Sequence, residues 1–433
     1  MKLVFYGDDF TGATDTLGTF ARAGLRVLLL PQVPSVAQVE ALGPLDVLGI
    51  AGAARSMSPD AMRAELEPLG HLFATLRVPL LHYKTCSTFD SAPQLGSIGH
   101  AVSVLRPFAS NPLVAIVGGQ PNLGRYCLFG NLFAALRTGG EVYRLDRHPT
   151  MREHPATPMH EADLRLHLRA QGLIDVVNVA YPTYDATTSQ QKVQLDRILA
   201  DHKPDAVLFD IGERSHLAAA GRLVWQHAQQ APLLAVGPSG VAQALLAAWS
   251  GGDAPVQTAA AKIAPADGPV FVLAGSLSPV TARQIAAATS YEHVPIDALR
   301  LLEPDAAYRD ALRQKIAALL RGGRHVLAAT ATAGASRLDT DSGAALAREC
   351  GALLAQLLRE QPLKRIGVAG GDTSSHALRA LGLNALAYLG ELAPGVVMCC
   401  AQADATTLNG AELMLKGGQV GGDDLFERLL HGA

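Results

Sequence analysis

Cysteine is scarce in this chain of 433 residues: five occur, at 86, 127, 350, 399 and 400, an odd number with no Cys-x-x-Cys spacing. That excludes a disulfide framework and suits a reducing compartment. Runs rich in Lys and Arg are absent and the net charge is -3, so no broad electrostatic footprint for nucleic acid or an anionic membrane exists. No uncharged stretch approaches the roughly 20 apolar residues of a membrane helix. The first apolar run turns polar at Gly7-Asp8-Asp9, too soon for a signal-peptide core. A cytoplasmic protein is expected. Also missing are the Walker loop, the G-x-G-x-x-G fingerprint, H-E-x-x-H and G-x-S-x-G, so the common nucleotide, zinc-protease and hydrolase signatures give no support.

What is present is a globular composition, 49% hydrophobic and 17% charged, long enough for two or three cores. Short β-branched apolar runs alternate with Ala/Leu-rich amphipathic stretches, which predicts βα units and largely parallel sheets. In the first half the runs lie at 3–6, 27–30, 47–50, 80–83, 113–117, 174–179, 206–209 and 233–236. Helical patterns fall between most of them, as at 13–23, 59–76 and 218–230. Residues 251–268, rich in Gly, Pro and Ala without a clear apolar period, read as a linker and hinge. A new series follows, with strands at 270–274, 325–328, 365–369 and 396–400 and helices at 306–320 and 343–358. The expectation is an α/β protein of two domains, 1–250 and 269–433, each a largely parallel sheet flanked by helices, with a ligand cleft between them.

Ligands of open parallel sheets sit beyond the carboxyl ends of strands, and the loops there carry the unusual residues. After the first strand, Asp8 and Asp9 precede Thr11 at a helix start; one carboxylate is explained as a cap, a second is not. Arg55 follows the third strand, and Lys84, Ser87 and Asp90 follow the fourth. Guanidinium fork and ammonium point charge suit a small hydroxy acid, while plain ion pairing with Asp8, Asp9 or Asp90 is the alternative. The glycines of the loop 118–126 permit close backbone approach, and Arg125 within it is a third basic candidate. The Pro-punctuated segment 146–159 holds His148 and His154, whose spacing does not suit zinc.

In the second half, Gly275-Ser276-Leu277-Ser278 opens a helix after a strand and offers backbone N–H groups and hydroxyls to an anion. Gly370-Gly371-Asp372-Thr373 repeats the arrangement. Lys416-Gly417-Gly418 begins a third glycine-rich loop that ends in Asp423-Asp424. Three such loops point to a nucleotide polyphosphate.

Taken together, GDDFTGATD at 7–15, ARSMSPD at 54–60, YKTCSTFDSAP at 83–93, GRYCLFGNLFA at 124–134, HPATPMHEADLRLHL at 154–168, GPSGVAQAL at 237–245, AGSLSPVTARQI at 274–285, GGDTS at 370–374 and LKGGQVGGDD at 415–424 resemble the four-carbon acid sugar kinase family. The resemblance implies a sugar-acid domain followed by a nucleotide domain, and ATP-dependent phosphorylation of a four-carbon acid or its oxo derivative. It places Asp9, Arg55, Lys84 and Ser87 on the acid, and Ser276, Gly370, Gly371, Asp372, Thr373 and Gly417 or Gly418 on ATP. Two positions depart from the family pattern: Val420 stands at an aromatic position, and Ser97 where relatives often have Asn.

On this reading Asp9 or Asp8 accepts the proton of the attacking hydroxyl while Arg55, Lys84 and Arg125 clamp the carboxylate. Lys416 holds phosphates, and Asp372 either binds Mg²⁺ or caps its helix. The partners expected are a small sugar acid and ATP, with no nucleic acid or membrane; a homo-oligomer is compatible with the sequence. A Mg²⁺-dependent sugar-acid lyase or epimerase and a non-catalytic sensor remain as rivals.

Overall fold

The computed structural model describes residues 1–433 except 137, 138, 155, 252–261, 304, 331–339 and 419. Most of the expected linker thus lies outside the described residues. The chain folds into two compact units, one of Met1–Val27 and Gln32–Thr258, the other of Leu28–Pro31 and Ala259–Ala433.

The strands are, in chain order, β1 (Leu3–Gly7), β2 (Val27–Leu30), β3 (Val47–Ala51), β4 (Leu80–Lys84), β5 (Val114–Val117), β6 (Arg125–Leu128), β7 (Asn131–Ala135), β8 (Val142–Arg144), β9 (Val176–Val179), β10 (Ala206–Phe209) and β11 (Leu233–Gly237). In the first unit, β3-β1-β4-β11-β5-β10-β9 form one parallel sheet. β1, Leu-Val-Phe-Tyr-Gly, is buried at every position, as a strand covered by helices on both faces must be. Tyr6 and Tyr83 stack at 5.9 Å between centroids. The Cβ that Gly52 lacks would lie 1.9 Å from the Tyr6 ring, so only glycine fits after β3. A separate antiparallel sheet, β6-β7-β8, begins inside the loop expected at 118–126 and continues to Arg144, where the sequence reading names no strand.

The second unit adds β12 (Val270–Ala274), β13 (Glu292–Pro295), β14 (Val326–Ala329), β15 (Arg365–Ala369), β16 (Ala385–Ala393), β17 (Val396–Gln402) and β18 (Glu412–Lys416). The order β13-β14-β12-β15-β18 is parallel. β17 and β16 then extend the sheet antiparallel, and Leu29 of β2 pairs antiparallel with Leu386. Val270, Val272, Met398, Met414, Phe426 and Leu429 belong to its core. Ile263 and Ala433 exchange both backbone hydrogen bonds, which ties the start of this unit to its end. Among the described residues no helix is long and apolar enough to cross a membrane.

Candidate functional site

The sheet order places β3, β1 and β4 side by side, so the loops that follow them converge on one rim. The Asp8 backbone N–H donates to the Lys84 carbonyl at 2.9 Å, and the Arg55 N–H to the Asp8 carbonyl at 3.0 Å. Side chains then meet above these backbone ties. Arg55 donates to Asp8 through Nη2 at 2.7 Å and Nε at 3.3 Å, and to Asp9 Oδ2 through Nη1 at 3.0 Å. Lys84 Nζ stands 3.7 Å from Asp9 Oδ1.

Asp9 is the N-cap of the helix Phe10–Arg22: its Oδ1 accepts from the Gly12 N–H at 2.9 Å and its Oδ2 from Thr11 Oγ1 at 2.7 Å. Asp8 does no capping, so the second carboxylate serves Arg55 instead. Although burial opposes it, the cations Arg55 and Lys84 with the donors Thr11 and Gly12 lower Asp9 to about 2. For Asp8 burial outweighs Arg55, and its pKa is raised. Two neighbouring carboxylates therefore have unequal affinities for a proton.

The rest of the rim is polar and enclosed. Ser87 is half-buried and Asp90 buried; Thr88 Oγ1 donates to Asp90 at 2.6 Å and lies 3.1 Å from Cys86 Sγ. Burial pushes the Cys86 thiol up to about 11, so it is not a thiolate nucleophile. Arg125 opens β6 and donates through Nη1 to the carbonyls of Leu123 and Ala135, at 2.9 and 3.0 Å. Desolvation lowers its pKa, while Cys86 and Asp90 act on it electrostatically from the same rim. Ser97, the departure from the family pattern, is the N-cap of Ile98–Leu105. Gly96, with φ +59°, sits where a Cβ would come within 2.4 Å of the Arg55 carbonyl.

Sequence reasoning sets Thr11, Gly12 and Thr88 in the loops of this rim but gives none of them a part in ligand binding. A Cβ on Gly12 would fall 1.6 Å from Lys84 Nζ and 2.4 Å from Asp9 Oδ1. Its place in the helix's first turn, beside two carboxylates, is the signal that the sequence offers.

In the second unit the three glycine loops follow β12, β15 and β18, which are neighbours in the sheet. They touch. The Gly275 N–H donates to the Ala369 carbonyl and the Gly370 N–H to that of Lys416, both at 2.9 Å. Gly275 lies so close to Thr373 that a Cβ would reach its Oγ1 at 2.1 Å. A Cβ on Gly418 would meet Ser276 Oγ at 2.7 Å and Ser278 Cβ at 3.1 Å.

Ser278 caps the helix Pro279–Ala287, accepting from the Val280 N–H at 3.1 Å, and Ser276 Oγ accepts from the Ser278 N–H at 3.2 Å. Gly370, at φ +127°, precedes the helix Gly371–Leu381 and supplies no side-chain cap. The first N–H groups of that helix, at Gly371, Asp372 and Thr373, therefore have no intrahelical partner and suit an anion. Asp372 is exposed in this first turn and is not the cap. Among the described residues no cluster of three His, Cys, Asp or Glu could hold a metal.

Lys416, by contrast, is turned inward and fully buried. Its Nζ donates to Thr281 Oγ1 at 2.9 Å and to Gln284 Oε1 at 2.5 Å. From sequence Thr281 is the last hydroxyl of the anion loop that begins at Gly275, and its pairing with Lys416 is missed, as is Gln284, although the i, i+3 spacing puts the two on one helix face. Gly417 is half-buried, and Val420 packs against the unit's apolar core.

Comparison with known proteins follows this division. Residues 3–245 match a family described as a sugar-binding N-terminal domain, and residues 271–426 one described as a nucleotide-binding C-terminal domain. A 3-oxo-isoapionate kinase of Paraburkholderia graminis is 36% identical, the match covering 100% of this chain and 94% of the relative. A 3-oxo-tetronate kinase of Cupriavidus necator is 31% identical, with 98% and 95% covered. A crystal structure from Salmonella typhimurium, 25% identical, superposes with a TM-score of 0.78 over 99% of this chain and 98% of that one. Matched over most of its length by the two domain families and over 98% or more by the two kinases, this chain belongs to the four-carbon acid sugar kinase family.

Proposed function

We propose that this chain transfers the terminal phosphoryl group of MgATP to a hydroxyl of a small 3-oxo sugar acid. The observation that carries the reading is the pair of unlike sites: a cluster of buried Asp8, Asp9 and Lys84 with half-buried Arg55 on one unit, and three contiguous glycine loops on the other. The names of the relatives favour the 3-oxo acids, one built on a tetronate chain and one on isoapionate.

In the reaction the substrate hydroxyl oxygen forms a bond to the γ-phosphorus as the bond from that phosphorus to the β,γ-bridging oxygen breaks, and ADP leaves. The hydroxyl proton passes to a carboxylate of the Asp8-Asp9 pair. A loose transition state asks little of a base until late, so a carboxylate as acidic as Asp9 serves first to orient the hydroxyl. Arg55 already faces two carboxylates, and Lys84 one. A third negative group entering there draws on Arg125 as well, whose Nη1 donates to the backbone carbonyls of Leu123, Gly124 and Ala135.

On the nucleotide side, Ser276, Ser278, Gly370, Gly371, Thr373, Gly417 and Gly418 line the phosphates through backbone N–H groups and hydroxyls. Lys416 acts from beneath them. Asp372, an exposed carboxylate that has no capping duty, fits Mg²⁺ held mainly by water and phosphate oxygens; the ion would neutralise charge on the transferring group. Direct transfer requires the acceptor hydroxyl within in-line reach of the γ-phosphate.

The test is ADP release by the purified protein over D- and L-threonate, erythronate, their 3-oxo forms and a branched 3-oxo acid. Turnover is expected with an oxo acid, and only with ATP and Mg²⁺ present. Turnover of the acid without nucleotide, or tight binding without ADP, would overturn the proposal.

A further inference from the structure

Lys416 ends β18 as a fully buried amine whose two hydrogen-bond acceptors, Thr281 Oγ1 and Gln284 Oε1, are both uncharged. Each acceptor passes the constraint onward to the glycine loop. Thr281 Oγ1 donates to the Gly418 carbonyl at 3.1 Å. Gln284 Nε2 donates to the carbonyls of Val420, Gly421 and Gly422 at 3.0, 3.1 and 2.9 Å.

We propose that Thr281 and Gln284, joined through Lys416, are positioning residues that hold this glycine loop in its nucleotide-binding shape. The inference rests on the assignment of the loop to nucleotide under the proposed function. An apolar trio of similar volume would fill the same space without desolvating an amine, and such replacements in cores are often neutral or stabilising. What an apolar trio cannot do is direct hydrogen bonds at successive carbonyls of a glycine-rich segment.

That segment needs direction. Gly421 adopts φ +87°, and a Cβ there would come within 3.2 Å of Gln284 Nε2 and 2.7 Å of Leu425. On its other side the loop presents Gly418 to Ser276, where a Cβ would be 2.7 Å from the hydroxyl. The path from buried amine to candidate phosphate ligand is thus one chain of contacts: Lys416, Thr281, Gly418, Ser276. Glycines carry the largest backbone freedom. If nothing fixed the loop beforehand, its ordering would be charged against nucleotide affinity.

Thr281→Val, Thr281→Ser and Gln284→Leu in the full chain test this. Binding of a non-hydrolysable ATP analogue is followed by calorimetry, alongside KM for ATP and for the sugar acid and the thermal midpoint. Thr281→Val and Gln284→Leu should each weaken analogue binding and raise KM for ATP by about tenfold, the scale of one lost hydrogen bond. KM for the acid should stay within about twofold of wild type, and Thr281→Ser, which keeps the hydroxyl, should bind like wild type. Val matches Thr in shape, so this arm survives even if Gln284→Leu does not fold. A lowered thermal midpoint with unchanged analogue affinity, or equal loss for both ligands, overturns the proposal. Wild type that binds no analogue overturns the proposed function instead.

Discussion

Asp9 has two jobs that use different oxygens. Oδ1 caps the helix Phe10–Arg22 through the Gly12 N–H, and Oδ2 accepts from Thr11 and Arg55. Asp9→Asn keeps an acceptor for the cap but removes the charge facing Arg55 and Lys84, so it separates the two jobs. It should lower kcat by roughly two to four orders of magnitude, the usual contribution of a positioned proton acceptor, with a modest change in KM. Steady-state kinetics beside Asp8→Asn identifies which carboxylate takes the proton; unchanged turnover for Asp9→Asn removes it from that role. Gly12→Ala attacks the same site through shape. Its methyl carbon would occupy the position 1.6 Å from Lys84 Nζ, so the ammonium must move. KM for the acid should rise by about tenfold or more while KM for ATP holds; a rise in both would place Lys84 outside the acid site.

Elements are legible where periodicity and loop chemistry agree. The runs at 3–6, 47–50, 80–83 and 270–274 are strands within a residue or two of those positions, because each is mostly apolar on both faces and meets a Gly or Lys within two residues of its end. Other elements leave no such mark. β16 carries Tyr388, Gly390 and Glu391 with register shifts along it, which blurs a two-residue alternation. β2 reads as a strand, but nothing local says that Leu29 pairs with Leu386, a contact distant in sequence. From sequence Lys416 reads as part of a phosphate loop because it precedes two glycines. It is instead the last residue of β18, and alternation points its side chain toward Thr281 and Gln284.

That burial has a pH signature. Desolvation lowers the Lys416 pKa from 10.5 to about 7, so in the interval between those values the unfolded chain holds a proton that the folded chain has released. Stability then rises with pH across the interval. The penalty of a buried charge is fully felt below about 7 and relieved toward 10.5. Denaturant unfolding of the second unit in wild type and Lys416→Met should give curves that diverge with pH, wild type gaining on the variant from about pH 7 upward. Parallel curves would mean that Lys416 is not strongly desolvated.

At the scale of the whole molecule, the assignment gives each unit its own ligand and hence its own stability response. A ligand that binds only the folded form stabilises by RT ln(1 + [L]/Kd), about 2.7 kcal/mol at a hundredfold excess over Kd. The acid's proposed contacts, Asp9, Arg55, Lys84, Ser87 and Arg125, all fall within residues 32–258 and 1–27; those for nucleotide, from Ser276 to Gly418, fall within 259–433. Hydrogen exchange on the full chain reads the two responses separately. ATP analogue alone should slow exchange at the starts of the helices Pro279–Ala287 and Gly371–Leu381, and the acid alone at the start of Phe10–Arg22 and in the loop after β4. The result that would separate fold from function is acid-induced protection at Gly371–Leu381 with none at Phe10–Arg22. The carboxylate pair would then be an internally neutralised ion cluster, two cations against two anions, and the substrate would have to be sought on the glycine loops.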